Sequence, residues 1–189
     1  MAKYNYFEAL EELAAGACNA VRSVCGEGAS ISKKEFTQIR SDCAKTLFSL
    51  ENSLFSEFLP PLERDNIAAY AHCLSRLIDT AAEHFALSRA LGGQRKKNEE
   101  EKICLELASE IKNGTSMLRN LKKPGEIPDI QKFRSLLHSG IEAHNAELSK
   151  INSGVLPKTY AQSVLSAGRL RIDLSKCFDK LLEIMLNNI

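Results

Sequence analysis

Apolar residues recur at steps of three and four along almost the whole chain of 189 residues. Because an α-helix has 3.6 residues per turn, this spacing gathers the apolar side chains on one face of a helix. The first segment of this kind carries Phe7, Leu10, Ala14, Ala17, Val21 and Val24. Strand-like alternation does not extend beyond a few residues, so the pattern predicts an all-α chain.

Prolines and glycines divide this pattern into six helical segments. Breaks are predicted near residues 26–31, 58–61, 91–95, 122–128 and 153–157. Pro157 is expected at the first position of the sixth helix, where its missing N–H costs nothing. Six helices with short connections favour a bundle of antiparallel neighbours. Helices one to three and four to six have similar lengths, so we expect one domain, residues 1–189, with two related halves of about 1–93 and 94–189.

The second helix has the clearest start in the sequence. Ser32 and Glu35 match a capping box, in which each side chain accepts a hydrogen bond from the backbone N–H of the other. Ile31 and Phe36 occupy the two positions of a hydrophobic staple. The charged residues 94–101, which lead into the fourth helix, are expected to form a solvated first turn.

The charge balance excludes several classes of partner. The chain carries 25 basic and 24 acidic residues, a net charge of +1. A nucleic-acid-binding face is strongly basic, so no nucleic-acid partner is expected. No apolar run approaches the ~20 residues of a membrane span, so direct membrane insertion is not expected. Acidic residues near the N-terminus replace the apolar stretch of a signal peptide, which predicts a cytoplasmic location.

Cysteines and serines indicate no reactive centre in the sequence. The cysteines are Cys18, Cys25, Cys43, Cys73, Cys104 and Cys177. They are scattered without a CxxC pair, so we expect reduced thiols that pack as small apolar side chains. A metal-thiolate site would need clustered ligands. The serines form no motif of a nucleophile with its base, so no enzymatic activity is expected.

Residues 58–85, FLPPLERDNIAAYAHCLSRLIDTAAEHF, form a distinctive junction between the second and third helices. A proline turn is followed by an acidic–arginine–acidic–amide–isoleucine opening, Glu63-Arg64-Asp65-Asn66-Ile67. The turn LRNLKKPGEI, residues 118–127, leads into the second half. Together with the order and lengths of the six helices, these motifs resemble the PhoU-like family of phosphate-transport regulators over nearly the whole chain.

The resemblance implies both a fold and a role. The implied fold is six antiparallel helices in two related three-helix halves. The implied role is a cytoplasmic regulator or accessory protein of inorganic phosphate transport, without enzymatic activity, that docks on a phosphate transporter or a phosphate-sensing protein. A homo-oligomer stays open. The alternatives are an iron- or zinc-binding helical bundle and a diverged bundle whose partner is unrelated to phosphate.

Many members of the family hold iron or zinc clusters through acidic residues four apart on a helix face. In this chain those positions fall at Arg40 and Ala44, at Ser75, Asp79 and Ala82, at His138 and Glu142, and near Ile172, Lys176 and Asp179. The metal face is therefore degenerate. Its remaining candidate ligands are Asp79, His138, Glu142 and Asp179, and they are expected to have structural roles rather than to bind metal.

The two cations on this face suggest what replaces the metal. Arg40 and Lys176 are expected to pair with Asp79 and Asp179, so no cofactor is expected. A single iron or zinc ion at His138 and Glu142 is the main alternative.

The other histidines receive plainer interpretations. His72, Asp79 and Glu83 share one helix face, which is consistent with a metal triad but is expected to be a solvated stripe. His84 and His144 are expected at the helix surface or at the edge of the core.

Overall fold

The computed structural model describes residues 4–26, 31–56, 60, 62–90, 98–121 and 128–188. These residues form helices and no strand, which confirms the all-α class. The helices are α1 (Tyr6–Cys25), α2 (Lys33–Ser56), α3 (Arg64–Ala90), α4 (Glu99–Met117), α5 (Ile130–Asn152) and α6 (Ala161–Asn188). Among the described helices, none is both long and apolar enough to cross a membrane.

The helix boundaries agree with the predicted breaks, with two corrections. Residues 91–95 lie outside the described residues, as do most residues of three other breaks. The α-helical part of the fourth helix ends at Met117, and a 3₁₀ turn covers Leu118–Asn120. Pro157 does not open the sixth helix. Its ψ of 141° is extended, a 3₁₀ turn follows it, and α6 begins only at Ala161.

The start of α2 has the predicted capping box. The Ser32 N–H donates to Glu35 Oε2 over 2.8 Å, and the Glu35 N–H donates to Ser32 Oγ over 3.1 Å. These hydrogen bonds, the one from the Ser32 backbone above all, hold the pKa of Glu35 below its ordinary value. The first turn of a helix leaves its N–H groups without partners in the helix, so this exchange stabilises the start of α2.

The helices form two three-helix bundles that meet along two seams. Helix α1 packs against α2 and α3, and α4 packs against α5 and α6 in the same way. The bundles join through α1 against α4 and α3 against α6. The side chains of Tyr6, Tyr70, Leu10, Ile67 and Leu107 are among the large groups fully buried in this core.

Each half contains a stacked pair of phenylalanines between its middle helix and its last helix. In the first half Phe36 stacks on Phe85 with ring centroids 5.1 Å apart. In the second half Phe133 stacks on Phe178 with centroids 3.6 Å apart. In both, a phenylalanine near the start of the middle helix packs on one from the last helix. The expected division between residues 93 and 94 lies outside the described residues.

Helices α3 and α6 run antiparallel, and side-chain hydrogen bonds define their register. His84 contacts Ser166, and Thr80 contacts Asp173. Residue numbers therefore fall along α3 as they rise along α6. This seam places polar groups from the two halves opposite each other.

We predict that Ser32→Ala lowers the free energy of unfolding by about 1 kcal/mol, because it removes the acceptor for the Glu35 N–H. Urea denaturation followed by circular dichroism measures the change. Ser41→Ala is the matched control, since Ser41 is exposed in the interior of the same helix. Equal stability losses in both variants would contradict a specific role for the cap.

Candidate functional site

A polar cleft of about 540 Å³ lies on the seam between α3 and α6. Its lining residues are Arg76, Asp79, Thr80, Glu83, Arg169, Ile172, Asp173 and Lys176. On each helix they recur at steps of three and four, so each helix presents one stripe to the cleft. The cleft is therefore built equally from the two halves.

Asp173 is the buried carboxylate of this cleft, and its side chain is only 7% exposed. Thr80 Oγ1 donates a hydrogen bond to Asp173 Oδ2 over 2.7 Å. Arg76 and Lys176 each place a nitrogen 3.4 Å from Asp173 Oδ1. A buried carboxylate is costly unless it is paired and hydrogen-bonded, and these three partners meet that need.

The other carboxylates of the cleft lie closer to solvent. Arg40 Nη2 lies 2.7 Å from Asp79 Oδ1, which confirms the expected pairing of these two residues. Arg169 Nη1 lies 4.0 Å from Glu83 Oε2, with both side chains largely exposed. The exposure of His72, Asp79 and Glu83 confirms that this helix face is a solvated stripe.

The structure separates the four candidate metal ligands. His138 and Glu142 lie on α5, where Nε2 and Oε1 are 3.3 Å apart and both side chains are at least 68% exposed. Asp79 lies in the α3–α6 cleft. Asp179 is exposed on α6. Lys176 does not form the expected pair with it, because Lys176 contacts Asp173, which faces α3.

The residues present do not fit the metal cluster that the resemblance implies. Among the described residues, no three side chains of His, Cys, Asp or Glu lie close enough to share a metal ion. Arg40 already neutralises Asp79, and Arg76 with Lys176 neutralises Asp173. A multinuclear site in a helical bundle needs several converging carboxylates, which this face does not supply.

A second polar cluster, which the sequence analysis missed, is buried between α3, α4 and α6. His84 Nε2 lies 2.8 Å from Glu101 Oε1, and His84 Nδ1 lies 2.6 Å from Ser166 Oγ. His84 and Glu101 have side chains no more than 1% exposed. The expectation that His84 lies at the surface or core edge is wrong, because two polar partners satisfy its ring inside the core.

Glu100 forms the adjacent part of this cluster and is completely buried. Arg171 Nε and His144 Nδ1 each lie 2.9 Å from a Glu100 carboxylate oxygen. The expectation of a solvated first turn is therefore wrong for Glu100 and Glu101. The start of α4 packs between other helices, whose side chains bind these two carboxylates. His144 lies at the core edge as expected. Residues 94–97 lie outside the described residues.

Two sequence features hold this cluster in place. Asn98 Oδ1 accepts the Glu101 N–H over 2.8 Å, and Glu101 Oε2 accepts the Asn98 N–H over 3.1 Å. This asparagine–x–x–glutamate capping box is a sequence signal for the start of α4, although it does not by itself indicate that Glu101 is buried. Gly168 lets His144 approach α6, because a Cβ atom there would lie 2.7 Å from His144 Cε1.

The row Ser166–His84–Glu101 contains the residue types of a catalytic triad. Its location argues against that chemistry, because Ser166 is only 6% exposed and His84 is completely buried. A substrate cannot reach the Ser166 hydroxyl in this packing. The row instead links α3 and α4 to α6, and so joins the two halves.

The described residues thus form a bundle of six helices, in two three-helix halves with a polar seam between them. A PhoU-like protein from Shewanella oneidensis MR-1 shares this fold at 13% identity and a TM-score of 0.66, over 97% of each chain. A second PhoU-like protein from that organism, whose name describes a phosphate regulatory protein, gives 13% identity and a TM-score of 0.67. That match covers 97% of this chain and 96% of the other.

The sequence itself matches no family model and no curated protein. The similarity therefore lies in the structure, and at 13% identity it shows the fold. The chain has the PhoU-like fold, which confirms the fold that the resemblance implied.

We predict that Arg171→Met destabilises the protein by about 3–5 kcal/mol, because it removes one partner of a buried ion pair. Arg40→Met is the matched control, since it breaks an exposed pair worth about 0–1 kcal/mol. Urea denaturation of both variants provides the comparison. The double variant Glu100→Gln with Arg171→Met should regain part of the loss, because the buried charge is gone. Equal losses for the two single variants would contradict the proposed burial of charge.

We also predict that the protein purifies without a multinuclear metal cluster after expression with added iron and zinc. Like charges ~4 Å apart repel by about 4 kcal/mol at an effective dielectric of 20, so Arg40, Arg76 and Lys176 oppose a cation in the cleft. Elemental analysis of the purified protein measures the content. Two or more tightly held ions per chain would refute the prediction. Asp79→Asn then locates any bound ion, since it alters the cleft and leaves His138 and Glu142 intact.

Proposed function

We propose that this chain is a cytoplasmic regulatory or accessory protein of inorganic phosphate transport that acts by binding another protein. The observation that carries the proposal is the fold, shared over 97% of the chain with PhoU-like proteins, one of them named as a phosphate regulatory protein. The partner is a phosphate transporter or a phosphate-sensing protein.

The proposed role includes no enzymatic step. The row Ser166–His84–Glu101, which has the residue types of a triad, is closed to substrate and holds the halves together. The open cleft instead exposes charged side chains that are already paired with each other. Such paired surface charges suit recognition of another charged surface, where complementary charge sets specificity and rate of association.

We place the contact with the partner at the α3–α6 cleft. This cleft is where the two halves meet, so its shape depends on how they pack. It presents both signs of charge, with Arg169 and Glu83 about 70% exposed. A partner that binds here contacts both halves at once and can therefore sense their relative position.

Deletion of the gene in its own organism tests the regulatory role. The expected result is that most of the difference in phosphate uptake between phosphate-rich and phosphate-poor medium disappears. Radiolabelled phosphate uptake measures it, and the wild-type gene should restore the difference. An unchanged difference in the deletion strain would contradict the role in phosphate transport.

Two variants in the same strain test the contact surface separately. Arg169→Glu reverses a charge in the cleft and should fail to restore regulation. The variant should still fold, because substitutions at exposed sites change stability little. Lys158→Glu makes the same charge change at an exposed residue that does not line the cleft. Restoration by both variants would remove the cleft as the contact surface while leaving the regulatory role intact.

A further inference from the structure

Two cysteines from opposite halves lie at the same level of the α3–α6 seam. Cys73 lies on α3 and Cys177 on α6, and each thiol shifts the pKa of the other, as neighbouring groups do. Cys73 precedes His84 by as many residues as Cys177 follows Ser166. Because α3 and α6 run antiparallel and His84 contacts Ser166, the two cysteines reach the same level of the seam. All six cysteines of the chain are free thiols in the structure.

The two thiols of this pair differ in exposure. Cys73 is partly exposed, whereas Cys177 is completely buried. A small oxidant in solvent therefore reaches Cys73 first. Cys177 lies behind it, in position to react with whatever forms on the Cys73 sulfur.

The surroundings of Cys73 favour its thiolate, which is the nucleophilic form. The hydrogen bond with Cys177 lowers the pKa of Cys73 to about 7, against the effect of burial, and Lys180 and Lys176 contribute in the same direction. Asp173 acts against them. The contrast within the chain is large, because burial raises the pKa of Cys43 to about 11.

We propose that Cys73 is an oxidation site for hydrogen peroxide and that Cys177 resolves it, forming a disulfide that joins α3 to α6. In the first step the Cys73 thiolate attacks one peroxide oxygen and the O–O bond breaks. Hydroxide departs, and Cys73 becomes a sulfenic acid. In the second step the Cys177 sulfur attacks the Cys73 sulfur and the S–O bond breaks. The Cys177 thiol proton goes to the departing oxygen, which leaves as water. The two sulfurs together lose two electrons, and the peroxide is reduced.

The bond needs the two thiols at the same level on facing helices, which the register of α3 and α6 provides. A disulfide brings its sulfur atoms to ~2 Å, so the two side chains must rotate toward each other. The new bond would link the halves covalently on the seam that carries the cleft. Lys176, which lines the cleft and contacts Asp173, directly precedes Cys177 in the chain. Oxidation would therefore fix the cleft in its reduced-state arrangement.

Peptide mapping tests this directly on the full-length native protein. The protein is treated with a small excess of hydrogen peroxide, free thiols are blocked with N-ethylmaleimide in denaturant, and trypsin is added. Each of the six cysteines falls in a different tryptic peptide, so every linkage has its own mass. The expected product joins residues 65–76 to residues 177–180, and four of the six thiols remain.

Three variants distinguish the steps. Cys177→Ser should give no disulfide and should accumulate a sulfenic acid on Cys73 that dimedone traps. Cys73→Ser should lose both products. Cys43→Ser is the matched control, since it removes a buried thiol of raised pKa and should leave the linkage unchanged. Thermal unfolding of each variant before treatment shows that it is folded.

The proposal is overturned by a linkage between other cysteines, by equal oxidation of Cys73→Ser and wild type, or by no linkage while Cys73 is oxidised. A rise in the unfolding midpoint after oxidation, reversed by dithiothreitol and missing in Cys73→Ser, is the expected second readout. An unchanged unfolding midpoint in the disulfide-linked protein would contradict the proposal that oxidation fixes the α3–α6 seam.

Discussion

The structure depends on how buried carboxylates at and beside the seam between the two halves find partners. Glu100, Glu101 and Asp173 are all nearly inaccessible, and each finds a partner on another helix. A carboxylate of this kind is strongly destabilising if its partner moves away, whereas an apolar contact loses energy gradually. The polar seam therefore penalises any sliding of α6 against α3 and α4. We infer that it fixes the register of the halves more than it adds net stability.

The same charges explain how this bundle accommodates carboxylates on facing helices. Several carboxylates on facing helices repel one another unless a cation lies between them. Arginine and lysine side chains of the chain itself take that position beside Asp79 and Asp173. The chain thus neutralises these acidic residues with its own side chains.

The sequence alone predicted what depends on local pattern and missed what depends on distant pairing. The helices follow from apolar spacing, and the start of α2 follows from Ser32 and Glu35 because those residues are three apart. The pairing of Lys176 was misplaced because one residue of error turns a side chain by about 100° around a helix, which separates Asp173 from the predicted stripe. The pair His84–Ser166 spans 82 residues, and no local pattern can indicate that contact.

Helices α2 and α5 share some buried positions and differ at exposed ones. Phe36 on α2 and Phe133 on α5 differ in residue number by the same amount as Leu54 and Ile151. All four side chains are buried. The same difference in residue number pairs Phe48 and Phe55, which are 66% and 86% exposed on α2, with asparagines on α5. At the buried positions that match, packing limits the change in side-chain volume in both helices, because a bundle tolerates few changes in core volume. The outer positions carry no such constraint, so a protein that contacts α2 meets an aromatic surface where one that contacts α5 meets amides.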